Sequence, residues 1–314
     1  MKVLVTGAAG FIGSHLCAAL LDQGHAVVGL DAFIPYYPRP LKEANLAGLR
    51  GQPGFTFFAR DLRTDDLAEP LAGVEAVFHL AAMPGLAKSW TEFDLYSSCN
   101  LLGTQRLLDA ARKGGLKRFV YASTSSVYGR YGTGDESLPT RPTSPYGVTK
   151  LAAENLCRSH CEELGLPLVV LRYFSVYGPR QRPDMGYQRF IQALLLGEPV
   201  TVFGDGQQSR GNTYVSDCVA ATIAALQAPV GEVYNVGGGE TASVWEILEK
   251  LQKLTGCRAK IHSQPARPGD QRFTGADTMR LQRHLGWQPR VGLDEGLSRQ
   301  VAWQQSQLRR PAAA

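Results

Sequence analysis

The sequence predicts an α/β protein, a doubly wound parallel sheet with a smaller C-terminal domain. Two observations carry this. Short apolar runs alternate with helical stretches over the first two-thirds of the 314 residues, as in parallel strands covered on both faces. The first run also passes directly into a glycine-spaced turn that opens a helix, Gly7-Ala8-Ala9-Gly10-Phe11-Ile12-Gly13.

The strand candidates, in order, are Lys2–Thr6, Ala26–Leu30, Thr56–Ala59, Ala76–Leu80, Arg118–Ala122, Leu168–Arg172 and Glu232–Val236. Each is bounded by Gly, Pro or a charged residue, and most are rich in Val, Leu and Phe. Helices are expected over Ile12–Gln23, Asn100–Lys113, Tyr146–Leu164 and Ser216–Gln227, where apolar residues recur at helical spacing. From Gly178 to Gly211, and again after Gly239, the alternation weakens and Pro, Gly and Arg become frequent. This divides the chain into a first domain, 1–175 plus about 212–238, and a second, about 176–211 plus 239–314. The Arg309–Ala314 tail is expected to be disordered.

Composition excludes several classes. A net charge of +5 is mild, and Lys and Arg are spread rather than gathered in runs, which argues against nucleic-acid binding. Two readings of that charge stay open: a slightly basic surface, or arginines facing an anionic ligand. The apolar start is too short for a signal peptide and is interrupted by glycine at once, so it reads as a buried strand. No stretch approaches the ~18–20 apolar residues of a membrane span. Six scattered cysteines imply neither zinc nor disulfides; only Cys157 and Cys161 are one helical turn apart. A cytoplasmic protein with free thiols and no metal is expected.

The glycine turn has the form of a dinucleotide site. At Gly7 and Gly10 the missing side chains let the backbone turn tightly and approach a pyrophosphate, and Gly13 lets the helix pack close to the sheet. The helix N-terminus, beginning with Phe11 and Ile12, offers free N–H groups and partial positive charge. Asp31 ends the second strand, eighteen residues beyond Gly13. A carboxylate there accepts from ribose hydroxyls and repels a 2′-phosphate, which favours NAD over NADP. Asp61 and Leu62 after the third strand fit adenine and ribose contacts, as do Leu80, Ala81 and Ala82 after the fourth.

Tyr146 and Lys150 are four residues apart and share one helix face. A free tyrosine titrates near ~10 and is a poor base at neutral pH. A neighbouring ammonium and a positive nicotinamide ring favour the phenolate, so Tyr146 can remove a proton from a hydroxyl while hydride leaves the same carbon. Lys150 is also placed to hold the nicotinamide ribose. The segment Ser123-Thr124-Ser125-Ser126-Val127-Tyr128-Gly129, roughly twenty residues earlier, supplies a third member.

Together T-G-x-x-G-F-I-G, H-L-A-A, S-T-S-S-V-Y-G, Y-G-x-x-K and L-R-Y-F-x-V-Y-G-P resemble the NAD-dependent sugar epimerase/dehydratase family, of the extended short-chain dehydrogenase/reductase type, over essentially the whole chain. The resemblance implies a Rossmann-like fold, a UDP-sugar substrate bound by the second domain, and a catalytic Thr124 that shares the proton relay with Tyr146. It implies supporting cofactor contacts from Asn100 and Tyr173. A homodimer through the Asn100–Lys113 and Tyr146–Leu164 helices also comes from the resemblance alone.

Members of this family begin by oxidising C4 of the sugar. The family's dehydratases resemble T-D-E-V-Y-G and its decarboxylases T-S-E-V-Y-G, whereas here Ser125 and Ser126 stand in place of the acids. A 4-epimerase needs no extra acid, because the ketone turns over and takes hydride back on its other face. The stretch Pro179-Arg180-Gln181-Arg182-Pro183-Asp184-Met185 resembles that of UDP-glucuronate 4-epimerases. Arg182 can hold the uronate carboxylate as a fork, with Thr124, Ser125, Ser126 and Ser175 as further donors. The alternative is an Arg182–Asp184 pair within the loop. By resemblance Arg210 and Arg267 meet the diphosphate, and Thr201 and Phe203 lie near the uracil. Lys88 reaches a phosphate or is solvated. Other readings are UDP-glucose 4-epimerase, then UDP-glucuronate decarboxylase, then a non-catalytic NAD sensor.

Overall fold

A computed structural model describes residues 1–309. Its strands are β1 (Lys2–Thr6), β2 (Ala26–Leu30), β3 (Phe55–Phe58), β4 (Ala76–His79), β5 (Arg118–Thr124), β6 (Tyr131–Gly134) and β7 (Leu168–Tyr173). They continue with β8 (Val176–Tyr177), β9 (Pro199–Phe203), β10 (Ser209–Tyr214), β11 (Val233–Val236), β12 (Glu240–Ser243), β13 (Lys260–Gln264) and β14 (Phe273–Ala276). The helices are α1 (Phe11–Asp22), α2 (Arg39–Ala47), α3 (Ala68–Leu71), α4 (Phe93–Ser97), α5 (Gly103–Arg112) and α6 (Pro145–Leu164). After them come α7 (Gly186–Leu196), α8 (Val215–Ala224), α9 (Val244–Thr255), α10 (Met279–Leu285) and α11 (Leu293–Leu308).

Seven parallel strands form the main sheet in the order β11-β7-β5-β4-β1-β2-β3. Alternation within each strand feeds two cores. Val3 and Val5 enter one and Leu4 the other, and Val120 is likewise opposed to Phe119 and Tyr121. This two-sided burial is why the strands read as continuous apolar runs. The order reverses between β1 and β4, which opens a crevice at the carboxyl ends of these strands.

All seven expected strands and four expected helices are present, with ends that coincide or move by at most three residues. The helix expected over Asn100–Lys113 is preceded by a π-helical turn at Ser98–Leu102. The smaller sheets are β12-β10-β14-β6, with β8 paired to β10, and β13-β9. Strand β6 is drawn from inside the first segment of chain. Arg309 caps α11, and the rest of the tail expected to be disordered, 310–314, lies outside the described residues.

Candidate active site

The crevice holds two neighbouring cavities. The first, about 220 Å³, is lined by Gly7, Gly10, Phe11, Ile12 and Gly13, by Asp31, Asp61, Leu62 and Leu80–Ala82, and by Tyr146, Lys150, Tyr173 and Arg182. Gly7 takes φ +73°, and a Cβ there would lie 2.9 Å from the backbone nitrogen of Ala81. A Cβ on Gly13 would come within 2.1 Å of the Gly7 carbonyl oxygen, so no other residue fits this turn. Helix α1 starts with no side-chain cap and no acidic residue in its first turn, which leaves its first N–H groups free for an anion.

Asp31 is 8% exposed; its carboxylate accepts from the Ala9 N–H at 3.2 Å and the Phe33 N–H at 2.8 Å. Lys42 Nζ lies 3.7 Å from it. Asp61 is clasped by Arg63 at 2.7 Å, which holds its carboxyl below the usual range. Tyr173 presents its ring to the cavity and shares a 2.7 Å hydrogen bond with Thr222. Asn100 does not line the cavity. Its side chain accepts from the Met83 N–H and donates to the Met83 carbonyl and to Thr149, which fixes the loop after β4. These groups fit a dinucleotide: a side-chain-free anion cradle, a carboxylate at the ribose position and a buried cation at the far end.

Helix α6 positions that far end. Ser144 caps it by accepting from the Gly147 N–H at 3.1 Å, Pro145 opens it, and Gly165 closes it at φ +68°. Tyr146, Lys150 and Glu154 then follow at four-residue steps on one face. Lys150 is 3% exposed, and its ammonium makes no hydrogen bond among the described residues. Burial draws it down to about 7. Thr124 ends β5, 9% exposed, and accepts from the Ser126 N–H at 3.2 Å. Burial holds the Tyr146 phenol above its ordinary value, and the groups that draw it down are the Thr124 hydroxyl and the Arg182 charge. The Lys150 ammonium lies over the Tyr121 ring, 4.2 Å from its centroid.

The second cavity, about 470 Å³, brings together Ser175, Asp184, Thr201, Phe203, Arg210 and Arg267 from segments far apart in sequence. Arg267 stacks 4.2 Å over Phe203 and pairs with Asp270 at 3.0 Å. Arg210 donates to the Ser209 and Gln271 carbonyls and has no carboxylate partner among the described residues. Its half-buried charge suits an anion. Ser125 and Ser126 lie on neither wall; Ser125 points its hydroxyl at Gln271, 3.4 Å away. Arg182 does pair with Asp184, at 3.0 Å, and it stands on the cofactor-side wall near Tyr146. Lys88 is exposed and rests 4.8 Å over the Tyr36 ring.

Sequence reasoning passed over several residues. Tyr36 and Lys42 sit on the first wall. Gln271 ties the Ser125 and Gly129 carbonyls, and Gln181 accepts from Gln188 and Gln300 beneath the Arg182 loop. Tyr36, Lys42 and Gln271 belong to no motif, and a lone polar residue gives no signal of its own; Gln181 lies inside the Pro179–Met185 stretch, where Arg182 drew the attention. Among the described residues no cluster of His, Cys, Asp or Glu could hold a metal, and no helix is long and apolar enough to cross a membrane.

The model of the NAD dependent epimerase/dehydratase family matches residues 3–237. A Bacillus subtilis protein described as an uncharacterized UDP-glucose epimerase, YtcB, is 47% identical over 308 residues, 96% of this chain and 98% of its own. A UDP-glucuronate 4-epimerase of Thermodesulfobacterium geofontis is 38% identical over 312 residues, 97% of this chain and 96% of its own. Among solved structures, UDP-glucuronic acid 4-epimerase from Bacillus cereus in complex with UDP-glucuronic acid and NAD superposes with a TM-score of 0.96 at 44% identity, covering 98% of this chain and all of that one. With its fold, its glycine turn and its Thr124–Tyr146–Lys150 group, the chain belongs to the NAD-dependent epimerase/dehydratase family.

Proposed function

We propose that this protein is an NAD-dependent 4-epimerase that interconverts UDP-glucuronate and UDP-galacturonate through a 4-keto intermediate. One observation carries the uronate reading: a guanidinium, Arg182, whose charge reaches Tyr146, stands on the wall of the first cavity, in the loop whose Pro183 and Asp184 line the second. The turn Gly7–Gly13, Asp31, Asp61 and Lys150 would hold NAD, and when bound it supplies the hydride acceptor and donor at C4. Tyr146 takes the proton of the C4 hydroxyl, with Thr124 sharing that hydrogen bond, and returns it after the ketone has turned over. A 4-keto uronate is a β-keto acid and loses carbon dioxide when its C5–C6 bond aligns with the ketone. Arg182 holds the carboxylate out of that alignment, and no acidic residue stands at Ser125 or Ser126 to move protons elsewhere.

Arg210 and Arg267 meet the diphosphate, and Phe203 with Thr201 frames the uracil. Residues 1–175 and about 212–238 carry the cofactor; about 176–211 and 239–314 carry the sugar nucleotide. Exposed Leu102 and Val148 on the α5–α6 side support a homodimer, which light scattering tests. Six unbridged cysteines fit a cytoplasmic protein.

A second reading, UDP-glucose 4-epimerase, is favoured by the description of the B. subtilis relative. An NMR substrate panel, using purified protein without added cofactor, decides between them. UDP-galacturonate should form from UDP-glucuronate with negligible pentose. Faster turnover of UDP-glucose would replace the uronate reading.

A further inference from the structure

Four separate segments converge beside Arg182. Its Nε and Nη2 donate to the two oxygens of Asp184 at 3.0 and 3.1 Å. Tyr36, from the loop after β2, donates its hydroxyl to the same carboxylate at 3.2 Å. Gly85, after β4, packs so closely that a Cβ would lie 2.2 Å from the Tyr36 hydroxyl oxygen. Tyr96 on α4 donates to the Pro84 carbonyl, with the Gly85 carbonyl 3.1 Å away. The cofactor-side loop that follows Asp31 is thereby tied to the substrate-side loop that carries Arg182.

A guanidinium has five N–H donors in a fixed fork. Asp184 takes one edge, Nε with Nη2, and so fixes the plane of the group. The Nη1–Nη2 end is left for a second carboxylate. Stacking adds to the constraint, since the Arg182 guanidinium lies 5.7 Å over the Tyr36 ring.

We propose that Tyr36 and Asp184 are positioning residues, a latch that sets which end of Arg182 meets the substrate carboxylate and thereby decides between epimerisation and loss of carbon dioxide. The proposal rests on the uronate reading. In the side reaction the C5–C6 bond breaks and its electron pair passes to the ketone oxygen as an enolate. Carbon dioxide leaves and C5 takes a proton. Hydride then returns from NADH to give a UDP-pentose, or stays there and leaves a 4-keto pentose. A loosened Arg182 lets the carboxylate rotate into the alignment this requires.

The test compares full-length wild type, Asp184→Asn and Tyr36→Phe with UDP-glucuronate and NAD. Epimer, pentose and released carbon dioxide are read together with melting temperature and NAD affinity. Both variants should bind NAD, and the decarboxylated share of turnovers should rise by about tenfold or more. Tyr36→Phe removes only one hydroxyl, so it keeps the test decisive if Asp184→Asn folds poorly. A wild-type product ratio in the Tyr36 variant overturns the latch. So does a lower KM with an unchanged ratio in Asp184→Asn, which would make Asp184 a competitor for Arg182. Wild type that ignores UDP-glucuronate overturns the uronate reading itself, before any variant is compared.

Discussion

The ammonium of Lys150 lies 4.2 Å from the centroid of the Tyr121 ring, with no carboxylate bonded to it. Burial lowers its pKa from 10.5 to about 7, while Cys157 and Glu154 draw it back up. The folded state therefore resists protonation that the unfolded chain accepts. That cost is present in full below about 7 and fades as pH rises toward 10.5. Lys150→Met should therefore melt above wild type near pH ~6, and the gap should close toward pH ~10. Equal melting temperatures across that range would mean that the lysine is not held as a lone buried cation. Activity should be lost in the variant at every pH.

Glu154, one turn further along α6, is fully buried. Its carboxylate accepts from Arg172 at 2.5 Å and from the Ser123 hydroxyl at 2.8 Å. Arg172 reaches on to Tyr128 at 2.8 Å. Glu154→Gln should leave Arg172 as an uncompensated buried cation and cost about 3–5 kcal/mol. Denaturant unfolding measures this, and turnover should fall too, because Ser123 adjoins Thr124. A loss below about 1 kcal/mol would show that the pair is dispensable.

Tyr146→Phe removes one oxygen from the site. Turnover should vanish while the fold and NAD binding stay nearly intact. Activity above a few per cent of wild type in the purified variant would require another base.

The parallel half of the fold was legible because strands such as β1 and β7 are buried on both faces and bracketed by glycine or charge. The second domain was not. Strand β13 is largely exposed along its length, and β6 and β14 are four-residue runs that contain glycine, so neither period nor propensity marks them. At the site, Gly7, Tyr146 and Lys150 announce themselves through spacing. Tyr36 and Gln271 act through contacts with Asp184, Ser125 and Gly129, more than 100 residues away in the chain, which no local pattern encodes, and Lys42 on α2 meets Asp31 across an irregular loop. Lys150 shows the other limit. Four-residue spacing placed it on the face of Tyr146, but its ammonium lies over the ring of Tyr121 on the neighbouring strand.

Asp31 does two things at once, accepting backbone N–H groups from Ala9 and Phe33 and lying 3.7 Å from Lys42. Asp31→Ala should weaken NAD about tenfold, near 1.4 kcal/mol, and narrow its advantage over NADP. Lys42 strengthens the second effect, since without Asp31 its charge can face a 2′-phosphate. Titration with both cofactors checks this, and unchanged affinities would remove Asp31 from the ribose site. Some stability should be lost as well, because two buried N–H groups lose their acceptor.

On the proposed uronate reading, Arg182 acts on both the substrate and the base. Its charge draws the Tyr146 pKa down against the opposing effect of burial. Arg182→Ala should therefore raise that pKa and move the acid limb of the epimerisation rate to higher pH. Uronate turnover at neutral pH should fall by ~10–100-fold, for a loss of ~1.5–3 kcal/mol when the carboxylate loses its charged donor. A neutral sugar such as UDP-glucose loses only the effect on Tyr146, so its rate should recover at higher pH while that of UDP-glucuronate should not. pH–rate profiles of wild type and variant with both sugars separate these contributions. An acid limb that stays in place would show that Arg182 does not tune Tyr146. Equal losses for the two sugars at high pH would show that it does not read the carboxylate.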